Sequence, residues 1–468
     1  MNAKREFALP ETVTPGLPPA ASFAELGLPP ELVRTMAGLA VAEPFPIQAA
    51  TLPNALAGRD VLGRARTGSG KTLAFGLALL ARTAGRRAGA KRPLALVLVP
   101  TRELAQQVAD ALTPYAQALE LRLTVVVGGL QSGRQAAALK AGAEVVVATP
   151  GRLADLVGRR DCHLDQVRIT VLDEADQMCD MGFLPQVSEL LDQVRPDGQR
   201  MLFSATLDRD VDHLVRHYLD DPVVATVDAA AGAVAAMDHH VLHVHGAEKF
   251  QTATEIAARD GRVLMFLDTR QSVDRFTRQL RGSGVRAAAL HSGKSQPQRT
   301  HTLEQFKQGE IDVLVATDVA ARGLHVDALD LVVNVDPPAD PKDYLHRGGR
   351  TARAGESGRV VTLVTAGQRR DVSRMLSEAG IRATATPVRP GDPALARITG
   401  AKRPPGVPLP GSAAPAAEPA AGKAGAKEST LGFRGLGSSP ARGKESRRTA
   451  EARKLAEARR AARVRRGR

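Results

Sequence analysis

Five times between residues 94 and 206 the chain repeats one pattern, a short run of aliphatic and β-branched residues followed by a longer amphipathic stretch. The runs are LALVLVP (94–100), LTVVV (123–127), EVVVA (144–148), ITVLD (169–173) and RMLFSAT (200–206). They are continuous rather than alternating, which suits strands covered on both faces, while a segment such as ELAQQVADALTPYAQAL has helical spacing. The repeat constrains the chain to an α/β fold of βαβ units around a parallel sheet. It lapses across AAAGAVAAMDHH (229–240) and restarts with RVLMFLD (262–268), VRAAALH (285–291), IDVLVATD (311–318), LDLVVNVD (329–336) and GRVVTLV (358–364). Two α/β domains in series are therefore predicted: an N-terminal extension (1–21), a first domain (22–228), a linker (229–240), a second domain (241–390) and a tail (391–468). A length of 468 residues agrees, since it exceeds what one hydrophobic core accommodates.

Polar motifs fall at the carboxyl ends of these runs, where open parallel sheets bind ligands. ARTGSGKT (65–72) has the composition of a phosphate-binding loop except at its first position, Ala65 in place of Gly. Backbone N–H groups of Gly68, Ser69 and Gly70 would cradle phosphates at a helix N-terminus. Lys71 would reach the β- and γ-phosphates and the Thr72 hydroxyl would bind Mg²⁺. In VLDEAD (171–176) an apolar strand runs into three carboxylates. Asp173 is placed to hold Mg²⁺ through its waters, and Glu174 to orient and deprotonate an attacking water. Acidic residues after a strand also serve as helix caps. Paired with the phosphate loop, they point instead to hydrolysis of a nucleoside triphosphate.

Charge separates the chain into a body and a tail. Residues 401–468 hold 17 Lys and Arg against 5 Glu, a net +12, which leaves the first 400 residues with 47 basic and 45 acidic side chains. The pI near 10.2 thus describes the tail. That segment is rich in Ala, Pro, Gly and Arg, so it buries too little apolar surface to offset its ordering entropy and is expected to be disordered. Clustered Arg and Lys suit nonspecific nucleic-acid binding through counterion release. Aromatic residues make up 3% of the chain, which argues against an aromatic stacking platform for bases. Cys162 and Cys179 suit a reducing compartment without a disulfide framework. With no signal-like N-terminus and no apolar run of about 18 residues, a cytoplasmic protein without membrane association is expected.

The motif series ARTGSGKT, PTREL (100–104), TPGR (149–152), DEAD (173–176), SAT (204–206), ATDVAARG (316–323) and HRGGRTAR (346–353) resembles that of the DEAD-box ATP-dependent RNA helicases, bacterial type, across residues 22 to 365. The resemblance implies two tandem RecA-like domains that close around ATP, Mg²⁺ and single-stranded RNA and locally separate short RNA duplexes. It implies that Phe23 and Gln48 read the adenine, with Ala65, Arg66, Thr67, Gly68, Ser69, Gly70, Lys71 and Thr72 around the phosphates. Lys71, Asp173, Glu174, Arg350 and Arg353 would be catalytic, the two arginines approaching the γ-phosphate on closure. Asp176, Ser204, Thr206 and His346 would couple hydrolysis to closure. Arg102, Gly128, Gly129, Thr149, Arg152, Arg270, Gln296, Arg299 and Thr317 would hold the RNA sugar-phosphate backbone without reading bases. Position 45 carries Phe where the family usually has Thr, and position 325 carries His where it usually has Asp on the ATP ribose.

A DNA helicase of the same superfamily is a second reading, opposed by Asp176, where many relatives outside the family have His, and by the Gln48 element. A third is an RNA chaperone or ribonucleoprotein scaffold acting through the tail, opposed by the intact Lys71, Glu174, Arg350 and Arg353 set. Ribosome-assembly and RNA-degradation proteins are the partner classes such an enzyme would meet.

Overall fold

The computed structural model describes residue 12 and residues 14–65, 68–227, 237–321, 329–351 and 358–410. Two seven-stranded sheets organise the described residues, and every strand pairing in them is parallel. The first contains β1 (Val61–Arg64), β2 (Ala95–Leu98), β3 (Leu123–Val126), β4 (Val145–Ala148), β5 (Ile169–Asp173), β6 (Gln199–Ser204) and β7 (Val223–Thr226). The second contains β8 (Asp238–His243), β9 (Val263–Phe266), β10 (Ala287–Leu290), β11 (Val313–Ala316), β12 (Leu331–Asn334), β13 (Arg359–Val364) and β14 (Thr384–Pro387). Their orders, β3-β4-β2-β5-β6-β1-β7 and β10-β11-β9-β12-β13-β8-β14, are the same arrangement used twice.

Helices cover both faces of each sheet, which is why the strand sequences are apolar throughout. Val61, Ala95, Val97, Val145 and Val147 enter one apolar cluster, and their neighbours Leu62, Leu96, Leu98, Val146 and Ala148 enter another on the opposite face. The second sheet divides its residues likewise, with Val263 and Met265 in one cluster and Leu264 and Phe266 in the other.

All ten runs read as strands are strands. β1, β7, β8 and β14 escaped the pattern. In β1 the cause is Gly63, where a Cβ would lie 2.5 Å from the Phe203 ring, so the strand omits a side chain to admit its neighbour's. β14 is exposed at most of its positions and shows little apolar character. β8 opens at Asp238, inside the stretch expected to be linker.

The chain does not leave the second domain at 391. Helix Pro393–Thr399, capped by Asp392, buries Leu395 and Ile398 in the domain's core. Residues 400–410 then run along it, with N–H groups of Lys402, Gly406 and Leu409 donating to the carbonyls of Glu255, Ser283 and Arg281. The remainder of the expected tail, 411–468, lies outside the described residues. No helix among the described residues is long and apolar enough to cross a membrane.

Candidate nucleotide site and domain cleft

β1 delivers the phosphate loop and β5 the acidic motif, with β6 between them in the sheet. Gly68 and Gly70 both hold φ of +87°, a left-handed conformation that glycine adopts without cost. A Cβ on Gly70 would also lie 2.6 Å from the Gln48 amide nitrogen. Helix Lys71–Thr83 starts directly after the loop and aims its free N–H groups at it. Lys71 Nζ lies 2.9 Å from Glu174 Oε1 and 3.8 Å from Asp173 Oδ1. Burial alone would lower the lysine's pKa, but the charges of Glu174 and Asp173 outweigh it and raise it. Burial raises the Asp173 carboxyl, with Lys71 acting in the opposite direction.

Glu174 sits at φ 53°, ψ 51°, a strained backbone for a non-glycine residue, between the end of β5 and helix Ala175–Asp180. Beside it, Gln177 donates to Glu174 Oε2 at 3.4 Å while its own buried Oε1 has no partner among the described residues. The donor set fits a metal-bound triphosphate: a buried cation for phosphate oxygens, and the hydroxyl of Thr72 with the carboxylate of Asp173 for a hard cation. Arg66, Thr67, Arg353 and His325 lie outside the described residues.

Three of the expected nucleotide contacts also have partners within the first domain. Phe23 is buried in the first domain's apolar core. Ala65 is buried too, and its N–H donates to the Ser204 carbonyl. The Gln48 amide accepts from Phe45 N–H at 2.9 Å and donates to the Gly70 carbonyl at 3.0 Å, leaving a second N–H and a second lone pair for a ligand. It thereby ties the start of helix Pro46–Leu56 to the phosphate loop.

Asp176 is fully buried and is the hub of the cleft. Its Oδ2 accepts from Thr206 N–H at 2.9 Å and Thr206 Oγ1 at 2.8 Å, and its N–H donates to Ser204 Oγ. Ser204 Oγ–H closes the knot on the Thr206 carbonyl at 2.8 Å. From the second domain, His346 Nε2 stands 3.8 Å from the same Oδ2. Burial would raise the Asp176 carboxyl, but His346, Lys342 and Lys71 hold it well below the usual carboxylate range. Arg350 is buried near the end of the second-domain helix that carries His346.

On the expected RNA track, Arg102 begins helix Arg102–Ala118 and Arg270 begins helix Arg270–Gly282, each just past a strand end. Gly128 and Gly129 serve Arg102 directly: a Cβ on Gly129 would lie 2.1 Å from Arg102 Nη1. Thr149 caps helix Pro150–Gly158 without a side-chain hydrogen bond, and Arg152 donates to the Leu130 carbonyl. Thr317 is buried just past the end of β11. Gln296 and Arg299 have a different geometry from an open phosphate contact. Gln296 donates to Glu103 Oε1 at 2.9 Å and accepts from Arg102 at 3.4 Å, and Arg299 pairs with Glu103 Oε2 at 3.0 Å. They join the two domains.

Sequence reasoning passed over Glu103, Lys342 and Arg347. Arg347 is buried, forks onto Asp318 at 2.5 and 2.6 Å, donates to Asn334 and the Asp336 carbonyl, and stacks 4.9 Å over Phe266. It fastens the helix of His346 and Arg350 to its sheet. Only its place inside HRGGRTAR hinted at this.

Residues 45–214 match the DEAD/DEAH box helicase family and residues 248–355 match the helicase conserved C-terminal domain. The chain is 41% identical over 373 residues to DEAD-box ATP-dependent RNA helicase 30 of Arabidopsis thaliana, covering 77% of this chain and 63% of that relative. It is 38% identical over 371 residues to DEAD-box ATP-dependent RNA helicase 20 of Oryza sativa subsp. japonica, covering 77% and 75%. Its fold is similar to that of S. cerevisiae Dbp5 bound to RNA and ADP BeF3, with a TM-score of 0.72 at 30% identity over 79% of this chain and 96% of that one. These relatives are eukaryotic and lend no support to the bacterial-type qualifier.

Proposed function

The chain belongs to the DEAD-box ATP-dependent RNA helicase family, and from that premise we propose that it hydrolyses ATP, with Mg²⁺, in a cleft completed by its second domain and uses closure to clamp RNA and separate short duplexes. The observation that carries the reading is Asp176, whose single carboxylate oxygen meets Thr206 of the SAT segment and faces His346 of the second domain. An event at the neighbouring Glu174 is thereby felt in both domains.

In this reading Lys71 binds phosphate oxygens and Glu174 takes the proton of the attacking water. Bound Mg²⁺ would supply charge neutralisation at the phosphates, held by Thr72 and Asp173. Arg350 and Arg353 stabilise the transferring phosphoryl group, a contribution of about 10³–10⁵ in rate for arginines of this kind. Arg102, Arg152 and Arg270 grip the RNA backbone, and the basic tail adds nonspecific affinity. Free, buried Cys162 and Cys179 suit a reducing compartment, which we take to be the cytoplasm. Proteins of ribosome assembly or RNA degradation are the partner classes this activity would meet.

ATPase assays with matched single-stranded RNA and DNA test the reading. Stimulation by RNA and ATP-dependent separation of a short RNA duplex support it. Equal stimulation by DNA would favour the DNA-helicase reading, and duplex separation independent of ATP would favour a chaperone acting through the tail.

A further inference from the structure

Lys342 is the second residue of helix Pro341–Gly348, one turn before His346 and on the same side of it. Its ammonium crosses to the first domain. Nζ lies 3.0 Å from Asp180 Oδ1, 2.9 Å from Asp180 Oδ2 and 2.8 Å from Asp208 Oδ2. Those two carboxylates come from different elements. Asp180 ends helix Ala175–Asp180, whose first turn holds Asp176, and Asp208 caps helix Arg209–Tyr218 two residues beyond Thr206.

Three first-domain carboxylates, Asp176, Asp180 and Asp208, therefore converge on one second-domain helix that presents Lys342 and His346. Asp176 is already bonded to Thr206 and Asp208 to the N–H groups of Asp210 and Val211, so these carboxylates are held in place for a cation from the second domain. Closure brings in a cation whose side chain is only 20% exposed. Burial alone would lower the lysine's pKa, but Asp176, Asp208 and Asp180 outweigh it, so Lys342 stays charged when docked.

We propose that Lys342 is a positioning residue for domain closure, its ammonium clamping the ends of the acidic-motif helix and the helix after the SAT segment to the second domain. It acts through those elements and touches no reacting atom. This inference rests on the proposed ATP- and RNA-driven closure, and it adds to the Asp176–His346 contact a second tie that bears on how readily closure occurs.

The test uses the full chain. Lys342→Ala should raise the RNA concentration for half-maximal ATPase stimulation about tenfold, a coupling of ordinary size, while kcat at saturating RNA changes less than about threefold. Lys342→Arg should restore most of the loss. Asp208→Asn keeps an acceptor for the cap on Asp210 and Val211 N–H but removes the charge. It should reproduce part of the effect and add little to Lys342→Ala in the double variant. Thermal melting separates a folding defect from a closure defect. Small-angle scattering with a non-hydrolysable ATP analogue and single-stranded RNA reads compaction directly. If Lys342→Ala compacts at the wild-type RNA concentration, or if the double variant is additive, the inference is overturned alone. A wild-type chain that neither compacts nor hydrolyses ATP would overturn the parent reading and this inference with it.

Discussion

Lys71 and Glu174 form an ion pair 2.9 Å long with side chains only 5% and 2% exposed, and Asp173 stands 3.8 Å from the same ammonium. Removing one partner of a buried pair strands the other charge, at a cost of about 3–5 kcal/mol. Loss of Lys71 would leave two carboxylates facing each other. Loss of the Glu174 charge alone still leaves Lys71 beside Asp173.

That asymmetry makes Glu174→Gln the cleaner probe. The amide keeps a hydrogen-bond acceptor for Lys71 but cannot take a proton from water. Hydrolysis should fall by about 10²–10⁴-fold, the usual contribution of a general base, while nucleotide affinity stays near wild type. Steady-state ATPase rates and a nucleotide titration check both parts. Wild-type ATP turnover by this variant would sink the role given to Glu174 as general base.

Gly129 is required twice over. Its φ of +78° costs an L-residue about 1–2 kcal/mol, and an added Cβ would lie 2.1 Å from Arg102 Nη1. Gly129→Ala should push Arg102 off Gln296 and weaken RNA affinity several-fold without changing ATP affinity. At Gly128 the same methyl would meet Arg102 Nη2 at 3.1 Å, so Gly128→Ala should cost less. Equal effects of the two substitutions on RNA binding would show that displacement of Arg102 is not the cause.

The parallel strands and the phosphate and acidic motifs were legible because each is written in contiguous residues. A continuous apolar run needs no partner to be recognised, and Gly68, Gly70 and Lys71 announce a loop by composition. What escaped is relational. Gly63 disqualifies β1 from the pattern until Phe203 is seen filling its space. Gln48 shows in sequence only its motif, and the tie it makes between Phe45 and the Gly70 carbonyl of the phosphate loop is seen only in the fold. Glu103 and Lys342 look like ordinary surface charges in sequence, and their meaning lies some 130 to 200 residues away, in Gln296, Arg299, Asp180 and Asp208.

Glu144 sets an acid limit on the first domain. Just before β4 it accepts from Arg122 N–H at 2.8 Å, from the Arg122 guanidinium at 2.7 and 3.1 Å, and from Ala88 N–H at 3.1 Å. Burial opposes its charge, but the Arg122 and Ala88 hydrogen bonds lower the carboxyl from an ordinary 4.5 to about 2. A carboxyl depressed in the folded state stabilises above its unfolded value, and that contribution is lost as pH falls through the folded one. The window is therefore pH 4.5 down to about 2. Glu144→Gln should be less stable at neutral pH by about 1–3 kcal/mol and should lose less stability than wild type across that window. Parallel melting-temperature curves for the two proteins would exclude this role.

Two truncations separate residues 391–410, a strap over the second domain, from the tail. Ending the chain at Pro410 removes 15 Lys and Arg against 5 Glu, a net +10, and leaves the strap's hydrogen bonds to Glu255, Ser283 and Arg281 intact. RNA affinity should fall and its dependence on salt should flatten, by about 0.7 in log–log slope for each single-strand phosphate that the shorter chain no longer neutralises. RNA-independent ATPase activity and melting temperature should hold. Ending it at Pro390 also removes Leu395 and Ile398, 1% and 9% exposed in the second domain's core. Each such side chain contributes about 1.5–3 kcal/mol on burial, so this shorter chain should melt several degrees lower. If the two truncations melt alike, the strap does not stabilise the domain. If the salt slope is unchanged at Pro410, the tail does not contribute to RNA binding.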